Sequence, residues 1–157
     1  MKYLFLATIL LLTGFVYFFI PKSNTIISEI KPACSIGTVQ RITGSSDYRI
    51  KWLPKAGKTV SATEYIFDGC SFLFADDNSF NNNVTVKYKN INANCLFTFE
   101  TAGDSVLVKW LFTHQSSNNP ISRFTDYFAL KHIKATNQKI LQSMLAFFKR
   151  QKKCVWF

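Results

Sequence analysis

Hydrophobic residues along this chain repeat with different periods in different stretches. Tyr3 to Ile20 is a run without a single charge, with Lys2 before it and Pro21 and Lys22 after it. As a helix rising about 1.5 Å per residue it would span roughly 27 Å, close to the ~30 Å hydrocarbon core of a bilayer. Asn83 to Asn90 alternates instead: Val84, Val86 and Tyr88 face one way, Thr85, Lys87 and Lys89 the other, as in a half-buried strand. From Pro120 to Phe148 apolar residues return at helical spacing: Phe124, Phe128, Ile133, Ile140, Met144 and Phe148, with Ile121, Leu141 and Leu145 beside them. Lys131, Lys134, Gln138, Gln142 and Lys149 fall mostly opposite. Asn118 and Asn119 read as the loop before this helix, and Pro120 suits its first turn, where a missing N–H leaves nothing unpaired.

The pattern between these stretches predicts short elements. Ser23 to Lys31 reads as a strand that Pro32 ends. Ala33 to Thr43 and Ser46 to Leu53 read as short helices separated by Gly44-Ser45, with a turn at Pro54 to Lys58. Thr59 to Phe67 reads as one strand, and Asp68-Gly69 as a hairpin turn into Cys70 to Ala75. Asp76-Asp77-Asn78-Ser79 is a further turn. Asn94 to Thr101 and Val106 to His114 are the last strands, joined through Ala102 to Ser105. Such a meander followed by one long helix predicts an α+β domain in which a curved antiparallel sheet wraps the C-terminal helix.

Composition sharpens this picture without naming a chemistry. At 157 residues the chain is long enough for one domain with a substantial core, and 16 Phe with few Gly and Pro exclude a low-complexity chain. The net charge of +10 is concentrated late, at Arg123, Lys131, Lys134, Lys139, Lys149, Arg150, Lys152 and Lys153 against Asp126. A basic face suits lipid head groups or simply a solvated helix surface. No nucleic-acid motif accompanies it, so no nucleic-acid partner is expected.

Cys34, Cys70, Cys95 and Cys154 show no metal-finger spacing, and the sequence leaves any disulfide pairing open. Cys70 and Cys95 sit in apolar, strand-like surroundings that suit small buried side chains. His114 and His132 belong to no nucleophile or zinc motif. Asp76-Asp77-Asn78 lacks the glycine and distal glutamate of a calcium loop. The expectation is therefore no catalytic residue, no metal and no cofactor. The Phe-rich helical stripe reads as core rather than as a cofactor contact.

For the N-terminal run, a cleaved signal peptide competes with an uncleaved anchor. Phe18-Phe19-Ile20-Pro21-Lys22 offers no small-residue cleavage site, which favours the anchor. Tyr3, Tyr17, Phe18 and Phe19 suit membrane interfaces. The division expected is 1–22 anchor, 23–150 domain and 151–157 a basic-aromatic tail suited to a membrane surface, with the domain outside the cytoplasm.

Tyr48 to Pro54 (YRIKWLP), Ser105 to Phe112 (SVLVKWLF), the Asn119-Pro120-Ile121-Ser122-Arg123 opening of the last helix and its Ile140 to Phe148 close carry a resemblance. Together with the element order, they resemble the helix-grip, START-like or SRPBCC superfamily, which includes polyketide cyclase/dehydrase-like proteins. The resemblance covers about Thr25 to Arg150. Within the superfamily it is similar to bacterial members with an N-terminal membrane segment, some continuing into a GyrI-like effector-binding module. This chain ends where that module would begin.

The resemblance implies a cavity between helix and sheet that takes an apolar ligand, and no particular reaction. By analogy its lining is Phe72, Phe74, Phe97, Phe99, Trp110, Phe124 and Phe128. The function expected is a membrane-tethered, non-catalytic binding module for a small hydrophobic or lipid-like molecule. A cyclase- or hydrolase-type enzyme is the alternative, and it requires His114, Glu64 or Glu100 to point inward. A scaffold that lacks a downstream effector-binding domain is a further one.

Overall fold

The structure, a computed structural model, describes residues 2–75 and 83–151. The Asp76 to Ser79 turn and most of the tail, with Cys154, lie outside the described residues. The elements run α1 (Lys2–Phe19), β1 (Ser23–Ile30), α2 (Ile36–Gly44), α3 (Ser46–Trp52), β2 (Lys58–Thr59), β3 (Glu64–Phe67), β4 (Cys70–Phe74), β5 (Asn83–Tyr88), β6 (Ile91–Ala102), β7 (Ser105–Gln115) and α4 (Pro120–Arg150). Among the described residues the strands form one antiparallel sheet in the order β1-β7-β6-β5-β4-β3-β2.

Tight turns set the registers of the meander. Phe67 pairs with Cys70 across Asp68-Gly69, Tyr88 with Ile91 across Lys89-Asn90, and Ala102 with Ser105 across Gly103-Asp104. Asp68 (φ 49°), Gly69 (φ 75°), Lys89 (φ 50°) and Gly103 (φ 62°) adopt the left-handed conformation that short hairpin loops need. β6 accordingly begins at Ile91, earlier than Asn94.

Thr59 to Phe67 is not one strand. It breaks between β2 and β3 because the Ser61 hydroxyl accepts from the Thr63 and Glu64 amides at 3.3 and 3.0 Å. A serine that caps its own backbone in this way competes with the strand ladder.

Strand alternation puts Ile30, Tyr65, Phe67, Cys70, Phe72, Phe74, Val84, Val86, Cys95, Phe97, Val106, Val108, Trp110 and Phe112 on the buried concave face. α4 lies against that face. It is capped by the Asn119 side chain, which accepts from the Ile121 amide at 2.9 Å, and Pro120 begins it. α2 and α3 close the far end. The Trp52 indole donates to the Ile42 carbonyl at 3.1 Å, and Tyr48 meets Phe147 of α4 edge-on at 6.4 Å.

The phase of α4 departs from the expected stripe. Ile133, Ile140, Leu141, Met144 and Phe148 are buried, but so are Arg123, Asp126, Thr136 and Asn137. At about 100° per residue, Phe124 and Phe128 lie roughly 180° and 140° around the helix from Ile133. They are 47% and 54% exposed.

Candidate functional site

The interior between α4 and the sheet is walled by aromatic rings. Phe97 and Trp110, cross-strand partners, stack with centroids 4.7 Å apart, and Phe72 meets Trp110 at 5.7 Å. Phe74 is buried as well, against Trp52 at 6.2 Å and under the Arg49 guanidinium at 4.3 Å. Phe99 is half-buried at the margin of this core. Of the proposed lining, Phe72, Phe74, Phe97 and Trp110 thus come together. Phe124 and Phe128 face away from the interior and cannot line it, because the sheet is met by the opposite side of α4.

Polar groups stand among these rings. Asn137 is 0% exposed, and neither its side-chain Nδ2 nor its Oδ1 has a hydrogen-bond partner among the described residues. It lies within the buried arc of α4, about 20° around the helix from Asp126 and Met144 and about 40° from Ile133. Ser28 is buried, its Oγ also without a partner among the described residues, and it pairs across the β1–β7 ladder with Trp110. The Trp110 indole N–H has the Cys95 thiol beside it, and the Thr136 hydroxyl has the Cys70 thiol. Sulfur is a weak partner for either group. Burial pushes the Cys70 thiol up to about 11 and raises the Cys95 thiol further, so both are protonated and inert near neutral pH.

Each acid or base raised by the catalytic alternative has a definite place. Glu64 lies on the convex face and accepts from the Ser71 hydroxyl at 3.0 Å. Glu100 is exposed and pairs with Lys109 at 2.7 Å. Neither points inward. His114 does follow the inward alternation of β7, and its Nε2 donates to Asp126 Oδ2 at 3.2 Å, both side chains being 13% exposed. His132 donates to the Asp68 carbonyl at 2.7 Å and stacks on Tyr88, a contact that fixes α4 to the β3–β4 turn. Arg49 ties the Gly44 carbonyl to Ala62, and Arg123 donates to the Ile20 carbonyl, so neither sits free at a cavity mouth. Among the described residues, no cluster of His, Cys, Asp and Glu could hold a metal ion.

Asn137 and Ser28 were not singled out from the sequence. The available signal for Asn137 is the repeat 126-133-137-140-144, which sets Asp126 and Asn137 in phase with Ile133, Ile140 and Met144.

No protein-family model matches the chain, and no curated protein sequence does. Solved structures share its overall fold. The solution structure of the Aha1 dimer from Colwellia psychrerythraea superposes with TM-score 0.52 at 18% identity, over 82% of this chain and 98% of that one. The crystal structure of Ara h 8.0201 does so with TM-score 0.52 at 13% identity, over 82% and 99%. The chain has the helix-grip fold. CalU16 from Micromonospora echinospora, with TM-score 0.55 at 11% identity over 82% and 78%, shares it. In helix-grip terms, Asn137 is a polar group on the gripped face of the long helix, and Trp110 and Phe97 lie in the sheet that grips it.

Proposed function

We propose that the protein is a membrane-tethered, non-catalytic binding module that holds a small hydrophobic or lipid-like molecule between α4 and the sheet. Residues 1–22 serve as the anchor and 23–150 as the binding domain. The observation that carries this reading is Asn137. An unpaired buried amide costs about 1–3 kcal/mol, and a ligand with an apolar body and one hydrogen-bonding group would offset that cost. Ser28 offers a second polar contact beside the aromatic wall of Phe72, Phe97 and Trp110.

Tethering is supported by α1, which is long and apolar enough to cross a membrane and of which only Val16 is buried. Its leucines and phenylalanines otherwise stand exposed. An extracytoplasmic domain is supported by Cys34, which is disulfide-bonded, a state that persists in oxidising compartments.

The test uses the full chain in mild detergent, with dansyl undecanoate as probe and energy transfer from tryptophan as readout. Saturable transfer that Asn137→Leu weakens supports the reading. Absence of saturable transfer, together with a native mass equal to that of the bare chain, overturns it. The catalytic alternative rests on His114 and Asp126. It requires turnover that His114→Ala abolishes while dansyl undecanoate still binds.

A further inference from the structure

The first two turns of α4 carry a surface that the interior site does not use. Ile121, Phe124 and Phe128 are exposed on one side of the helix, and Phe124 packs edge-on against Phe128 at 5.0 Å. Exposed apolar side chains grouped in this way mark an interaction surface. Around them the exposed charges are cationic: Lys131, whose ammonium lies 4.6 Å over the Tyr127 ring, and Lys134. Asp126, in the same turns of the helix, is buried and turned toward His114.

The same two turns are fastened to α1. Val16 and Ile20 are buried, the Tyr17 hydroxyl donates to the Asn118 carbonyl at 2.9 Å, and Arg123 lies 5.2 Å over the Tyr17 ring while donating to the Ile20 carbonyl. α1, Lys2–Phe19, is about 27 Å long, so crossing a ~30 Å hydrocarbon layer uses all of it. Its last turn then lies at the head-group boundary. A helix with side chains is about 10–12 Å across. The exposed face of the first turns of α4 is therefore within about one helix diameter of that boundary.

We infer that Ile121, Phe124 and Phe128 insert into the head-group region of the bilayer that α1 spans, with Lys131 and Lys134 facing anionic lipid phosphates. α4 is thereby a second, interfacial membrane contact, and the domain is held in a fixed pose rather than on a swivel. Apolar residues flanked by lysines are the composition that lies in such an interface. The inference rests on the tethering reading, and the experiment separates the two.

Single cysteines are introduced into the full chain as Phe124→Cys, Phe128→Cys, Leu10→Cys and Gln142→Cys, and spin-labelled. Gln142 is exposed on the same side of α4 as Phe124 but about 27 Å further along it. The unsubstituted chain, labelled in parallel, supplies the background. Proteins are placed in phosphatidylcholine vesicles with and without phosphatidylglycerol. Accessibility to oxygen is compared with accessibility to a water-soluble nickel chelate. The expected result is an oxygen-to-nickel ratio at 124 and 128 several-fold above that at 142, rising further with phosphatidylglycerol.

Ratios at 124 and 128 equal to that at 142, with a lipid-like ratio at Leu10, overturn the second contact and leave the anchor standing. A water-like ratio at Leu10 overturns the anchor itself. Labels at 124 and 128 shielded from both reagents place a protein partner on this surface and overturn insertion.

Discussion

Asn137 is the side chain whose chemistry can be read most directly. Asn137→Leu removes an unpaired donor and acceptor in a nearly isosteric shape, so it should stabilise the ligand-free protein by about 1–2 kcal/mol. For a chain of this size that is a rise of roughly 2–8 °C in Tm, measured by circular dichroism. The same variant should bind dansyl undecanoate more weakly, and a change of both quantities in one direction would remove Asn137 from the site. Cys70 makes an independent prediction. Its thiol is raised from 9.0 to about 11 by burial, so the folded state holds the proton more tightly. That stabilisation is complete below pH 9 and is lost as pH rises toward about 11. A thermal melt series across that window should show Tm falling, and Cys70→Ala should flatten part of the fall. At this scale analogy is a weaker guide than helical phase. The family resemblance puts Phe124 and Phe128 in the lining, yet the buried arc passes through Arg123 and Asp126 instead. A buried polar residue is legible only once that arc is fixed by the sheet it meets.

Elements were more legible than residues, because period and turn chemistry are local. The hairpins at Asp68-Gly69 and Gly103-Asp104, the alternation of β5 and the start of α4 at Pro120 all follow from residues within a few positions of one another. What escaped was the break inside Thr59 to Phe67, where a single serine hydroxyl redirects the backbone. The joint between α1 and α4 escaped too, since it depends on residues about a hundred positions apart. Arg123→Ala tests that joint. It deletes a buried donor and leaves the Ile20 carbonyl unpaired, which should cost about 1–3 kcal/mol of stability. A spin label at Phe18 should then become markedly more mobile. Unchanged mobility would mean that Tyr17 and Asn118 hold the joint without the arginine.

For the whole molecule, the disulfide at Cys34 bears on both stability and location. Reduction, or Cys34→Ser, should lower unfolding stability by about 2–4 kcal/mol, seen as a lower denaturant midpoint with a steeper slope, because the unfolded chain without the cross-link exposes more surface. Protein isolated under thiol-blocking conditions should carry Cys34 unmodified by alkylating reagent until it is reduced. Full modification before reduction would place the domain in a reducing compartment.

The pairing of the first strand with the last has a consequence for how this chain is made. Ile27 of β1 lies opposite Leu111 of β7, a partner synthesised roughly eighty residues later. β1 emerges directly behind α1 and then waits, without its strand partner, until nearly the whole sheet has been produced. Closing so long a loop delays assembly, so refolding should be slow for a domain of this length. During that wait, β1 is the early-made template to which the late-made β7 must return.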